Sequence, residues 1–228
     1  MSASPDHASL DALIDGVELL SLDAGNTVIF LEHARIAAHL ETLGVRVPAE
    51  VLVRTEGEAK RQQASSTLER IPFTHDGAPG AAGWASMVGT LITRAGVPLD
   101  ELGSLLDALW VDHVRLNLWS KVPDGLGHAL DEARALGLKV AIVSNSEGML
   151  VELFKELGIG TRFDLVVDSG IVGVEKPDPR IFRMAYEPFG IAPGAVLHLG
   201  DSIATDVVGA RAAGVRYALI DPFGHFEG

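Results

Sequence analysis

The chain contains no cysteine, which excludes a disulfide framework, a thiolate metal site and cysteine-based nucleophilic catalysis together. It also lacks any apolar run approaching the roughly 18 residues of a membrane-spanning helix. Met1 to Gly16 has no positive start followed by an apolar core, so a signal peptide is not expected. A cytoplasmic protein with no membrane partner is the expectation. Positive charge is scarce: 18 Lys and Arg stand against 31 Asp and Glu, a formal net charge of -13. Nucleic acid is therefore not an expected partner, because phosphate backbones demand a positive footprint. A small phosphorylated ligand remains compatible, since one metal ion and one or two lysines can reverse the field inside a single cleft. Repeats, low-complexity tracts and long charge runs are missing as well. Oligomeric state is not legible.

What is abundant is apolar material. At 47% hydrophobic residues over 228 positions, the chain can bury one large core, or a core plus a smaller inserted unit. Disorder is not an option. Val17 to Leu22 reads as a buried strand that stops abruptly at Asp23. Further on, helix and strand alternate. Asp124–Leu136 is a helix stopped by Gly137, Lys139–Val143 a β-branched strand, and Glu147–Leu157 a helix closed by Gly158. Phe163–Val167 is the next strand, and Pro179–Phe189 a helix with Asp178 as its N-cap and Gly190 at its end. Val196–Leu199, Ser202–Ala213 and Val215–Ile220 complete the series as strand, helix and strand.

Such alternation implies a parallel sheet covered on both faces, with right-handed crossovers that bring every strand-to-helix loop to the carboxyl edge. Asp23, Ser144 and Asp201 each follow the end of a strand, so they converge on one rim. The segment from Leu31 to Trp119 differs. It shows helical periodicity only, in Ile36, Ala37, Leu40 and Leu43, again from Trp84 to Ile92, and again from Leu102 to Val114, with a Gly- and Pro-rich loop over Ile71–Gly83. The expected fold is an α/β, doubly wound, Rossmann-like parallel sheet, residues 1–31 plus 120–228. An α-helical cap, residues 32–119, is inserted after the first strand, with hinges near its two ends.

Four constellations carry chemistry. Asp23-Ala24-Gly25-Asn26-Thr27 follows the first strand, where a carboxylate can attack phosphorus and form an aspartyl phosphate; the bland reading is an Asp closing a strand into a turn. Ser144-Asn145 precedes a helix, whose free amides and the Ser hydroxyl would make an anion site, or simply a cap. Lys176, in Gly173-Val174-Glu175-Lys176-Pro177-Asp178-Pro179, can neutralise both a nucleophile and a transferring phosphoryl group. Gly200-Asp201-Ser202-Ile203-Ala204-Thr205-Asp206 sets two carboxylates at a strand end and the next helical turn, a donor set suited to a hard cation.

In this order, the four motifs resemble those of the haloacid dehalogenase superfamily, and the insertion point resembles its helical-cap subgroup. The resemblance runs from about Glu18 to Tyr217 and implies a hydrolase that is phosphatase-like and Mg²⁺-dependent. It implies Asp23 as nucleophile and metal ligand, the Gly25 carbonyl and Asp201 as further ligands, and Asp206 as a lysine anchor or the holder of a metal-bound water. It further implies Thr27 as a supporting residue, Ser144 as phosphoryl donor with Asn145 beside it at the substrate, and Lys176 as electrostatic clamp. A small phosphorylated metabolite would be the substrate.

One position departs from the pattern. Phosphatases of this family carry a second Asp two residues after the nucleophile, where this chain has Gly25. General acid–base help from that position, usually worth about 10²- to 10⁴-fold, is missing. Three accounts are open: the cap replaces it, with Glu32, His33 or His75 as candidates; the leaving group is good enough without it; or the protein binds a phospho-ligand with little turnover. Two other chemistries lack that Asp too. Dehalogenation needs no metal, so the intact Gly200-Asp201-Ser202 counts against it. Phosphonate cleavage needs a cap lysine, and Lys60, the only one, reads as part of a solvated helix face with paired charges. Arg35, Arg54, Arg61, Trp84 and Arg94 are cap candidates for substrate selection that sequence alone does not rank.

Overall fold

The computed structural model describes residues 10–65, 71 and 73–224. In chain order it contains α1 (Leu10–Ile14), β1 (Leu19–Leu22), β2 (Phe30–Leu31), α2 (His33–Thr42), α3 (Ala49–Ser65), α4 (Ala81–Arg94), α5 (Leu102–Arg115) and β3 (Trp119–Lys121). There follow α6 (Leu126–Ala135), β4 (Lys139–Ser144), α7 (Leu150–Glu156), β5 (Leu165–Asp168), α8 (Ser169–Val172), α9 (Pro179–Tyr186), β6 (Val196–Gly200), α10 (Val208–Ala212) and β7 (Arg216–Leu219).

The main sheet has five parallel strands in the order β5-β4-β1-β6-β7. Both faces of β4 are buried, which is why its sequence is an uninterrupted apolar run rather than an alternation. Val140 and Ile142 pack with Leu130, Leu153 and Phe154 on the α6/α7 side; Ala141 and Val143 pack with Ile181, Phe182 and Ala210 on the α9/α10 side. The chain moves from β1 outward to β4 and β5, then crosses to β6 and β7 on the opposite flank. The strand order therefore reverses beside β1, and a crevice opens at its carboxyl end. The doubly wound parallel sheet expected from the helix–strand alternation is the observed fold.

Helices α2 to α5 lie between β2 and β3 and have a core of their own, including Ile36, Leu40, Leu52, Trp84, Leu91, Leu106 and Trp110. The periodicities beginning at Ile36, Trp84 and Leu102 fall on α2, α4 and α5. Helix α3 carried no apolar period of that kind, yet Leu52 and Ala59 are buried on it. The two short strands were not expected either. Phe30 and Leu31 pair antiparallel with Lys121 and Trp119, so the outgoing and returning chains are hydrogen-bonded to each other.

Helix α6 begins at Leu126, two residues later than expected, and two other helix starts differ more. Helix α7 begins at Leu150 rather than Glu147, because residues 145–149 are locked into an irregular loop. Asp168, at the end of β5, accepts N–H bonds from Gly148 (3.0 Å) and Leu150 (3.1 Å) and also caps α8 through Gly170. Ser169 Oγ donates to the Ser146 carbonyl and accepts from the Ser146 N–H. After β6, the expected helix from Ser202 opens with one wide π-helical turn, Ile203–Val207, before α10. There the Asp206 carboxylate folds back onto the Ser202 N–H at 2.9 Å.

The loop after β4 depends on close backbone contact. A Cβ at Gly170 would come within 2.4 Å of the Gly148 nitrogen and 2.8 Å of the Ser146 carbonyl oxygen. Gly170→Ala is expected to cost about 1–3 kcal/mol, the usual scale of overpacking, read as a lower denaturant midpoint at unchanged m-value.

Candidate active site

Asp23, Ser144 and Asp201 sit where β1, β4 and β6 give way to loops at the carboxyl edge, while Lys176 lies in the loop between α8 and α9. Asp23 follows β1, and its N–H bonds the Leu199 carbonyl of β6 at 2.8 Å, which ties the first motif to the fourth. The loop behind it is compact: the Ala24 carbonyl accepts from the N–H groups of Thr27, Val28 and Ile29. Asn26 takes a left-handed conformation at φ 57, which Asn tolerates better than most residues. Its Nδ2 reaches Asp201 Oδ2 at 3.4 Å.

Lys176 is buried between two carboxylates, its Nζ 2.6 Å from Asp23 Oδ1 and 2.6 Å from Asp206 Oδ1. Asn145 holds the lysine backbone from both sides: its Oδ1 accepts the Lys176 N–H at 2.7 Å and its Nδ2 donates to the Lys176 carbonyl at 2.9 Å. The Asn145 amide, expected beside the substrate, is thus committed to placing the lysine. Ser144 is buried at the end of β4, one strand from β1 on the same edge. The helix amides expected beside it as an anion site are engaged by Asp168 instead, so that expectation is corrected.

Asp201 follows β6 with its side chain largely buried, and Asp206 is buried behind it. One carboxylate oxygen each from Asp23, Asp201 and Asp206 lie within 4.8 Å of one another. Only glycine fits at position 200, since a Cβ there would stand 2.3 Å from Asp206 Cγ. Asp206 is anchored by three protein donors: Lys176 Nζ, the Ser202 N–H and His198 Nε2 at 3.1 Å. On its other side, His198 Nδ1 lies 2.9 Å from Ser21 Oγ. Ser21 and His198 are register partners on β1 and β6, so a buried polar chain runs Ser21–His198–Asp206–Lys176–Asp23 beneath the site. Sequence reading missed its first two members. The signal was there: each interrupts a strand that is otherwise apolar.

Charge decides the electrostatics. Burial alone would raise the Asp206 carboxyl, but the Lys176 ammonium and the His198 N–H hold it well below the carboxylate range. Asp23 goes the other way. Burial pushes it up, Lys176 pulls it down, and the Asp206 and Asp201 carboxylates push it up again. Three carboxylates face two ammonium groups, Lys176 between Asp23 and Asp206 and Lys60 beside Asp201, so the cluster is short of positive charge. A divalent cation with oxygen ligands fits that imbalance. Asn26 Oδ1 and Thr27 Oγ1 are also buried there without a hydrogen-bond partner.

At Gly25 the backbone is outside the left-handed region, and a Cβ would meet the Trp119 ring at 3.7 Å, an ordinary contact. Neither conformation nor space requires glycine there. Trp119 had not been singled out in the sequence.

Among the cap candidates, His33 bonds Glu56 at 2.7 Å. His75 lies 3.7 Å from Asp107 within an aromatic group with Phe73 and Trp110. Glu32 precedes α2 at the end of β2, and its side chain makes no capping bond. Arg35 straps α2 to Asp112, to the Asn117 carbonyl and to Ser120. Arg94 pairs with Glu58, Arg54 is exposed, and Trp84 packs edge-on against Trp110 inside the helical core. The Arg61 side chain lies outside the described residues. Lys60 overturns its expected place. Rather than lying on a solvated face, its Nζ is 2.9 Å from Asp201 Oδ2.

The haloacid dehalogenase-like hydrolase family model matches residues 48–214. A bovine haloacid dehalogenase-like hydrolase domain-containing protein 3 is 30% identical over 208 residues, 90% of this chain and 82% of the relative. A phosphoserine phosphatase of Thermus thermophilus is 32% identical over 227 residues, 90% of this chain and 89% of that one. In fold, the chain is similar to the putative HAD-hydrolase YfnB from Bacillus subtilis, solved bound to magnesium: TM-score 0.63 at 18% identity, covering 91% of this chain and 90% of that one. The ordered rim motifs, the sheet order and these matches agree: the chain belongs to the haloacid dehalogenase-like hydrolase family and is a hydrolase.

Proposed function

We propose that the protein is a Mg²⁺-dependent phosphatase of small phosphorylated molecules, working through an aspartyl phosphate on Asp23. The observation that carries this is the Lys176 ammonium held between Asp23 and Asp206, with Asp201 in the same cluster. Relatives named phosphoserine phosphatase and phosphoglycolate phosphatase, the latter from Thiobacillus denitrificans and 36% identical over 118 residues, support phosphate-ester chemistry.

In this reading an Asp23 oxygen attacks phosphorus in line, the ester oxygen departs with the bonding electrons and takes up a proton, and water then hydrolyses the aspartyl phosphate, restoring the carboxylate. Lys176 steadies the negative charge on both the nucleophile and the phosphoryl oxygens, while Asp206, clamped by His198 and Ser202, fixes the lysine. Ser144 serves the phosphoryl oxygens, Asn145 positions Lys176, and Thr27 supports the Asp23 loop. Asp23, Asp201 and the Gly25 carbonyl would hold Mg²⁺, with Asp206 behind them; when bound, the ion supplies Lewis-acid stabilisation of the phosphoryl charge.

Gly25 favours a second reading, a phospho-ligand binder with little turnover. Lys60 reaching the site also keeps carbon–phosphorus cleavage on the same scaffold as an alternative. A Schiff base there needs a neutral amine, and against the effect of burial the Asp201 carboxylate beside it raises the Lys60 pKa above the ordinary lysine value.

Asp23→Asn is expected to reduce hydrolysis of a generic aryl phosphate to background, and chelation of Mg²⁺ to do the same reversibly. Unchanged turnover in Asp23→Asn would sink the reading. Because a Cβ at position 25 meets only ordinary contacts, Gly25→Asp is expected to raise kcat on alkyl phosphates by up to about 10²-fold, within the usual worth of a general acid. If the variant gains nothing while the parent turns over well, the proton donor already lies elsewhere.

A further inference from the structure

Lys60 is the only lysine between β2 and β3, and it stands on α3. Its placement follows from the helix and not from a flexible loop. Ala59 beside it is buried in the helical core, and Glu56, one turn earlier, is buried and bonded to His33. With the register of α3 fixed in this way, the lysine stem carries its ammonium across from the helical unit to the sheet edge. The ion pair it makes there is largely withdrawn from solvent, with side chains 22% and 5% exposed for Lys60 and Asp201. Two further contacts run between the same halves of the molecule: His113 Nε2 is 3.6 Å from Glu147 Oε2, and a Cβ at Gly80 would meet the Ser146 carbonyl at 3.1 Å. Neither touches the carboxylate cluster.

Asp201 Oδ2, which also accepts from Asn26 Nδ2 at 3.4 Å, therefore has two cationic suitors at once, Lys60 and any metal ion that joins Asp23 and Asp201. Two positive charges a few ångströms apart in a partly buried site repel by an amount comparable to the attraction each gains from the carboxylate. A phosphoryl dianion removes the conflict, because it offers the ammonium a new partner at the same place.

We propose that Lys60 is a substrate-binding residue that exchanges partners: it competes with the divalent cation for Asp201 and passes to the phosphoryl group when substrate binds. This rests on reading the carboxylate cluster as the phosphoryl-transfer site. The consequence is that metal alone binds against the cap contact, whereas metal and phosphate together bind with it. Positive coupling between the two ligands is then built into one side chain.

The test is calorimetric titration of the full chain with Mg²⁺ alone, and then with inorganic phosphate at saturating Mg²⁺. Lys60→Met keeps the apolar stem, and Lys60→Gln is read beside it so that one poorly folding variant leaves the comparison intact. Both are expected to bind Mg²⁺ about tenfold more tightly than the parent and phosphate about tenfold more weakly, the scale of a single partly buried charge contact. Lys60→Arg is expected to restore parental values. Unchanged or weaker Mg²⁺ binding, or unchanged phosphate binding, in the Met and Gln variants would overturn the inference while leaving the hydrolytic site standing. A parent that binds no Mg²⁺ at all would overturn both.

Discussion

A buried ammonium between two buried carboxylates is the interaction around which this hydrolase is organised. Lys176 Nζ touches Asp23 and Asp206 at the same 2.6 Å, and all three groups are buried. Taking charges out of water is costly, and removing one partner of such an arrangement typically costs about 3–5 kcal/mol because it strands the others. The surrounding structure is arranged so that none is stranded. Asn145 grips the lysine backbone at two points, the loop after β6 returns Asp206 to its own start, and Gly200 leaves the room for it to do so. Segments distant in sequence therefore become ordered together, and the site is a product of folding rather than an ornament on it.

Beneath that triad the sheet itself is polar in one spot. Ser21 and His198 face each other across β1 and β6, with Phe182 edge-on to the imidazole at 4.9 Å. Burial keeps His198 below its ordinary pKa, with the Asp206 carboxylate opposing that effect. A neutral ring with one N–H to give suits Asp206, and a ring nitrogen left to accept suits the Ser21 hydroxyl. Hydroxyl, imidazole and carboxylate thus satisfy one another without water, which is what a polar group inside a parallel sheet requires.

The sheet and its rim were legible because their signals are local and repeated. Each strand is a short apolar run, each crossover helix has a period and a terminating glycine, and Asp23, Ser144 and Asp201 stand at the points where strands give out. Cooperation between elements was not legible. The start of α7 was misjudged because Asp168, eighteen residues from Leu150, captures its amides. Asn145 looked like a ligand contact because its true partner, Lys176, is thirty-one residues away. Lys60 was misread for a related reason. On its own helix it sits among charges at helical spacing, and only tertiary docking of α3 onto the sheet edge reveals that its partner is Asp201. His198 and Ser21 were discoverable in principle, since a polar residue within a doubly covered strand must have a buried partner somewhere.

The short antiparallel pairing of β2 with β3 has a mechanical corollary. Both covalent crossings between the α-helical body and the sheet pass through the same small ribbon, and Arg35 rivets that ribbon's surroundings to α2 and α5. Two separate tethers would permit twisting, sliding and tilting independently. A stapled double strand removes that independence, so the α-helical body is joined to the sheet at one place, with Lys60 of α3 at the sheet rim.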